Sequence, residues 1–384
     1  MTHTSYLELS ESAIKNNINF IREIIGDTTI FSSVVKGNAY GHGIKTYCML
    51  AYKYGVRHFS VSDANEAFDI KKTLPYEDVT IMIMGMIENS QLPWAIENEI
   101  EFFVFEENRL QKAIEAAKKV KRRAKIHLEI ETGMNRTGFV PKETTRVLKY
   151  IETHKEFVDV KGICSHLAGA ESISNYKRIT DQKKKFKNVR KRVKELDLFN
   201  PNYHLASSAA TIRYPTTRLD LVRVGILQFG FFPTKEILVH YLTKEKIVEN
   251  PLKRIISWKT EVMDVKTIKA GQFIGYGTSY FTNQETKIAI IPVGYSSGYS
   301  RSLSNKGKVL IRGQRHKIVG TINMNMMAVD ITHADTIEKG DEVVLIGSQG
   351  DVEITVSSFN DSIQIINYEL LTRLPENLPR IITK

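Results

Sequence analysis

Over roughly its first 230 residues the chain alternates eight times between a short β-rich run and a helix-like stretch, and no other feature restricts its fold as tightly. The runs fall at 29–35, 58–62, 79–85, 101–105, 125–131, 158–166, 203–206 and 219–224. Helical patterns occupy 12–25, 64–73, 108–119, 142–154 and 175–196 between them. A repeated strand–helix order predicts parallel βα units in an α/β fold. Eight units in about 230 residues match the size of a TIM (β/α)8 barrel. A doubly wound open sheet is the alternative. No Gly-x-Gly-x-x-Gly follows the first run, which weakens its dinucleotide-binding version.

After Pro233 the helical periodicity fades. Short alternating runs at 255–265, 286–292, 308–311, 326–331 and 342–346 are separated by Gly, Asn and Asp turns. These predict a mostly β C-terminal domain. The boundary falls within 233–248 and divides the chain into a barrel at 1–240 and a β-rich domain at 241–384.

Composition narrows the setting. The 384 residues are 42% hydrophobic and 25% charged, as in globular proteins. No apolar run is long enough for a membrane helix, and the N-terminal stretch has no apolar signal core. Only Cys48 and Cys164 are present, so a reducing cytoplasm is expected. The net charge of +11 raises nucleic acid as a partner. The densest basic stretches, 118–123 and 183–194, lie in amphipathic patterns and read as solvated helix faces. No zinc spacing or RNA-binding aromatic signature accompanies them. Neither nucleic acid nor membrane is expected as a partner, and no metal site is expected.

In a TIM barrel the active site lies at the C-terminal ends of the strands. That rule singles out Lys36 after the first run, Arg136 after the fifth, His166 at the end of the sixth, Ser207 and Ser208 after the seventh, and Arg223 with Gly225 at the eighth. Singly, each has a plainer role: an ion-paired lysine, a structural histidine, a salt-bridging arginine, a turn glycine. Together they are chemically coherent. A desolvated lysine beside cations loses proton affinity and can condense with an aldehyde. The loops after strands seven and eight commonly bind phosphate, and Ser208, Gly225 and Ile226 stand there. An aldehyde cofactor carrying a phosphate is pyridoxal 5'-phosphate (PLP).

The stretch Val34-Val35-Lys36-Gly37-Asn38-Ala39-Tyr40-Gly41-His42-Gly43 closely resembles the PLP-binding motif of alanine racemases, the fold-type III PLP-dependent amino-acid racemases. Glu131-Thr132-Gly133-Met134-Asn135-Arg136-Thr137-Gly138, Ser165-His166-Leu167-Ala168, His204-Leu205-Ala206-Ser207-Ser208-Ala209-Ala210 and Val222-Arg223-Val224-Gly225-Ile226 extend the resemblance in order. Gly275-Tyr276-Gly277, Val293-Gly294-Tyr295, Met324-Asn325 and Ile366-Asn367-Tyr368-Glu369 carry it through the second domain.

The resemblance implies a homodimer in which each site takes its barrel from one chain and Tyr276, Met324 and Asn325 from the other. It implies two catalytic bases, Lys36 on the D face of the substrate α-carbon and Tyr276 on the L face. Tyr40, Ser208, Gly225, Ile226 and Tyr368 match the family's phosphate-binding positions. Ser207 and His166 also fall beside the cofactor. Arg223 faces the pyridine nitrogen and leaves it unprotonated, since an arginine does not readily give up a proton. Arg136, matching the arginine at the PLP phenolic oxygen, and Met324 stand at the substrate. The implied reaction is conversion of L-alanine to D-alanine, supplying a D-amino acid for peptidoglycan.

Several positions depart from the family pattern. Glu129 stands where many relatives have a carbamylated lysine, and its carboxylate can orient Arg136 without modification. Ser207 replaces the usual Asn and Asn325 the usual Asp. The usual Gly-Tyr-Ala-Asp-Gly reads Gly294-Tyr295-Ser296-Ser297-Gly298. These leave open a racemase of serine or of broad specificity. The remaining alternatives are a PLP-binding homeostasis protein, which has a barrel alone, and a decarboxylase of the same fold type, whose substrate motifs are missing here.

Overall fold

A computed structural model describes residues 4–334, 336–356, 358 and 367–384. The chain forms two compact units, one of Ala13–Ala39 and Ile44–Lys253, the other of Met1–Ser12, Tyr40–Gly43 and Arg254–Lys384. This division is discontinuous, unlike a single cut at 240/241. The N-terminal strand β1 (Ser5–Ser10) is the reason, because it pairs inside the β-rich unit.

The first unit is a closed barrel of eight parallel strands: β2 (Ile30–Val34), β3 (His58–Val61), β4 (Thr80–Ile83), β5 (Glu101–Val104), β6 (Ala124–Glu129), β7 (Val158–Cys164), β8 (Asn202–Ser207) and β9 (Leu221–Val224). All eight predicted runs are barrel strands, and β9 closes on β2 through Ile30↔Leu221 to Ser33↔Val224. Strands such as His-Phe-Ser-Val and Leu-Val-Arg-Val are buried along their whole length, as parallel strands covered on both faces must be.

The helices start and stop on local signals. Asp63 accepts the N–H groups of Asn65 and Glu66 to cap Ala64–Thr73. Helix Tyr176–Leu196 buries Ile179, Gln182, Phe186, Val189 and Val193 as one stripe. Lys184, Lys185, Lys187 and Lys194 lie exposed, so the basic stretch is a solvated face. No helix among the described residues is long and apolar enough to cross a membrane.

Among the described residues the second unit is built on one ten-stranded sheet. Its further strands are β10 (Ile256–Glu261), β11 (Asp264–Ile268), β12 (Thr286–Ile291), β13 (Lys308–Ile311), β14 (Gln314–Val319), β15 (Met327–Asp330), β16 (Glu342–Gln349), β17 (Val352–Ile354) and β18 (Arg380–Thr383). The order is β11-β12-β15-β14-β13-β16-β10-β1-β18, with β17 on β16. The run 255–265 is two strands rather than one. Val262 and Met263 donate to Asp341 and Ile290 respectively, and there the chain leaves β16 for β12. Buried Trp258 packs on Tyr299 and donates to Ser5 Oγ at 2.9 Å.

Candidate active site

Lys36 lies two residues beyond the end of β2. The backbone then winds left-handed through Gly37, Asn38, Ala39, Tyr40 and Gly41, with φ between 51° and 77°. A residue with a Cβ pays about 1–2 kcal/mol for that conformation. Glu66 offsets part of it: Oε1 accepts the N–H groups of Gly37 (2.6 Å) and Asn38 (3.2 Å), and Oε2 that of Ser62 (2.9 Å). Asn38 Oδ1 in turn accepts the Ile44 N–H at 2.7 Å.

The Lys36 side chain reaches solvent, yet enough protein surrounds it to depress its proton affinity. Desolvation is the largest cause. Arg136 and Arg223 add repulsion, and Glu66 opposes them.

Arg136 sits in the loop after β6 and is exposed. Glu131 folds that loop by accepting the N–H groups of Gly133 and, at 3.2 Å, Arg136. Glu129 is buried and accepts the Thr137 hydroxyl at 2.7 Å. Among the described residues no ion pair joins it to the Arg136 guanidinium; the carboxylate holds Thr137 of the same loop instead. Thr137 takes the carboxylate because it lies on the same returning loop, where Phe139 N–H reaches Glu129 O.

His166 follows β7, and burial pushes its imidazole down to about 3. The charges of Arg223, Arg136 and Lys36 act in the same direction, so these four groups share one electrostatic neighbourhood. The ring is neutral at physiological pH. Gln182 holds the loop: its Nε2 donates to His166 O (2.8 Å) and its Oε1 accepts Ala168 N–H (2.8 Å).

Arg223, on β9, is buried. Its Nη2 donates to Ser165 O at 2.7 Å and its Nη1 to His204 Nδ1 and O. Desolvation lowers its proton affinity, and it stays a cation with only neutral acceptors in contact. Ser208 Oγ accepts the Gly225 N–H at 2.9 Å, joining the loops after β8 and β9. Ser207 precedes helix Ser208–Arg213, and buried Ile226 opens the turn Ile226–Phe229. Gln228 locks that turn, donating to Val34 O (2.8 Å) and Val224 O (3.0 Å).

The remaining expected residues lie in the β-rich unit. The rings of Tyr40 and Tyr368 are 5.9 Å apart. Ile366, from the same motif, lies outside the described residues. Tyr276 is 74% exposed and Met324 55% exposed. Left-handed Gly275 and Gly277 flank Tyr276, whose carbonyl accepts the Thr321 hydroxyl at 3.4 Å.

Glu66, Gln182 and Gln228 were not singled out in the sequence. Their signal was weak: a polar residue on a helix or turn gives no hint that its partners are backbone groups of a distant loop. Among the described residues no group of three or more His, Cys, Asp or Glu could hold a metal ion. The barrel unit instead offers a lysine of depressed proton affinity, two arginines and a hydroxyl–amide pair. That donor set suits an anionic, phosphorylated aldehyde.

Residues 9–233 match the family model of the alanine racemase N-terminal domain, and residues 255–382 that of its C-terminal domain. Among curated relatives, the alanine racemase of Methanococcus maripaludis is 34% identical, with 99% of each chain covered. That of Leptospira interrogans is 32% identical over 99% of this chain and 96% of its own. Among solved structures, the alanine racemase from Bacillus anthracis with bound L-Ala-P superposes with a TM-score of 0.90 at 28% identity, covering 100% of this chain and 96% of that one. The alanine racemase from Bartonella henselae with covalently bound pyridoxal phosphate gives 0.84 at 28% identity, covering both chains fully.

Proposed function

This chain belongs to the alanine racemase family, and on that premise we propose that it interconverts L- and D-alanine with PLP held on Lys36. The observation that carries the reading is Lys36 itself: a desolvated amine at a strand's C-terminal end, facing the fields of Arg136 and Arg223. Such an amine is unprotonated, and so nucleophilic, more readily than a free lysine.

The residues divide the work. Lys36 would hold the cofactor's aldehyde carbon, and Ser208, Gly225 and Ile226 its phosphate, for which the family pattern also assigns Tyr40 and Tyr368; Ser207 and His166 would flank it. When bound, PLP supplies an electron sink for the α-carbon. Arg223 would present its guanidinium, held by Ser165 O and His204, to the pyridine nitrogen, which would keep the sink weak and favour return of the proton to the α-carbon. Arg136 and Met324 would orient the substrate.

Two bases complete the scheme. Lys36 Nζ takes or returns the proton on the D face, and Tyr276 Oη of the partner subunit does so on the L face, so the proton lost from one face is replaced on the other. Exposure of Tyr276, Met324 and Met326 supports donation across a homodimer. Neutral His166 is suited to accept a hydrogen bond from a tyrosine at that site. We place the enzyme in the cytoplasm, making D-alanine for peptidoglycan. The domain assignment, a barrel at 1–240 and a β-rich domain at 241–384 that contributes to the partner's active site, belongs to the same proposal, with β1 and residues 40–43 joining the β-rich unit.

The match of residues 255–382 to the family's C-terminal domain favours a racemase over a barrel-only PLP-binding homeostasis protein. A second reading, in which serine is also accepted, is favoured by the polar Asn325–Ser296 pair. The test is incubation of purified protein and PLP with single L-amino acids, followed by chiral chromatography. D-Alanine should form fastest. D-Serine formed at a comparable rate would support the second reading, and no D-product would overturn both.

A further inference from the structure

A line of buried polar side chains crosses the barrel interior, where bulky apolar residues normally fill the space. It starts at Arg223, whose Nη1 donates to His204 Nδ1. His204 Nε2 lies 2.9 Å from His127 Nδ1, and His127 Nε2 lies 2.8 Å from Glu101 Oε2. His58 Nε2 lies 3.6 Å from the same oxygen. All five residues are buried. Glu101 and His58 open β5 and β3, at the barrel end opposite the candidate site.

Donor counting fixes every proton along the line. Arginine has donors only. His204 Nδ1 must therefore accept, which puts its proton on Nε2. His127 Nδ1 accepts that proton and carries its own on Nε2, which Glu101 accepts. The directions of titration agree. Burial raises Glu101's affinity for a proton, but the hydrogen bond from His127 and the nearby His58 ring outweigh it and keep the carboxylate ionised. Burial is the leading cause keeping His127 and His204 neutral.

The backbone is shaped around this line. A Cβ on Gly162 would fall within the radius of His127 Nδ1 and 2.9 Å from His204 Nε2. The β6–β7 register shifts by one residue immediately before His127↔Gly162, which sets the bare glycine opposite the ring. The Phe103 ring packs 6.1 Å from His127 and 5.9 Å from His204.

We propose that Glu101, acting through His127 and His204, is a positioning residue for Arg223: an acceptor at the base of the barrel fixes two histidine tautomers so that the guanidinium always meets a ring nitrogen able to accept. This deepens the function above and rests on Arg223 facing the cofactor. Without the carboxylate, either ring can reverse its protons, and His204 would then point an N–H at Arg223. A buried network pays heavily for one reversed link, which makes the far acceptor matter at the near end.

The test combines nitrogen NMR of the holoenzyme carrying 15N-histidine with two variants. In the wild type, His127 and His204 should be neutral with the proton on Nε2; a proton on Nδ1 of either ring, or a charged ring, overturns the relay. Glu101→Gln keeps size and an acceptor oxygen but can also present an amide donor. It should mix the His127 and His204 tautomers, shift the absorption maximum of bound cofactor, and lower kcat about tenfold in both directions with KM unchanged, as loss of outer positioning groups does. Gly162→Ala should do the same by separating the rings. A folded Glu101→Gln with wild-type tautomers, spectrum and kcat would overturn the proposal. Should either variant fail to fold, the wild-type tautomers still decide. A wild type that neither binds PLP nor racemises would instead sink the function reading, whatever its tautomers.

Discussion

Asn325 Nδ2 donates to Ser296 Oγ at 2.9 Å, and Ser296 Oγ donates to Met324 O at 2.8 Å. Two departures from the family pattern are therefore partners of each other. Asn325 supplies the donor that leaves the serine hydrogen for the Met324 carbonyl. Asn325→Asp restores the family residue but removes that donor, so Ser296 must choose between two acceptors. One lost hydrogen bond is worth about 0.5–1.5 kcal/mol. The KM for alanine should rise several-fold with kcat nearly unchanged, measured in a coupled assay; Ser296→Ala with Asn325→Asp should recover part of it.

Ser208→Ala removes the hydroxyl that accepts the Gly225 N–H. If this pair is part of the phosphate site, PLP affinity should fall by about tenfold, the equivalent of one such bond. Fluorescence titration of the apoprotein with PLP measures it. Undiminished affinity would place the phosphate elsewhere.

Glu66 accepts three backbone N–H groups and also raises the proton affinity of Lys36. Glu66→Gln keeps an acceptor but loses the charge. Stability should drop by about 1–3 kcal/mol in denaturant unfolding. The pH above which PLP attaches to Lys36 should move down, because removing an anion leaves the ammonium less favoured. An upward move would contradict this electrostatic role.

Stability should fall on acidification from pH 6.5. His127, His166 and His204 all have folded proton affinities below their ordinary value of 6.5, with His166 near 3. The unfolded chain therefore binds more protons than the folded one in this window, so unfolding free energy rises with pH and is lost as pH drops. Each such group contributes at most about 1.4 kcal/mol per pH unit. Urea unfolding of the apoprotein at pH 7.5 and 5.5 checks the sign.

The barrel was legible because each strand is a short apolar run between helices with caps and stripes, such as Asp63 before Ala64–Thr73. Residues at strand ends were legible by position: Lys36, His166 and Arg223 needed only the rule of the barrel's C-terminal face. Strands β1, β14, β17 and β18 were not. Strand β14 reads Gln-Arg-His-Lys-Ile-Val, and its charges hide the alternation. Its two-residue turn, Arg312-Gly313 with φ of 50° and 74°, was the available signal. The Glu101–His127–His204 line was invisible, since residues on three separate strands become neighbours only through barrel closure and the β6–β7 register shift.

The most direct test of the central claim is solvent deuterium exchange at the α-carbon of alanine, with purified protein and PLP in D2O. Deuterium should enter both enantiomers. Lys36→Ala should abolish exchange and cofactor attachment together. Tyr276→Phe should slow exchange from L-alanine far more than it weakens PLP binding. Absence of exchange in the wild-type holoenzyme, or full exchange in Lys36→Ala, would contradict the account.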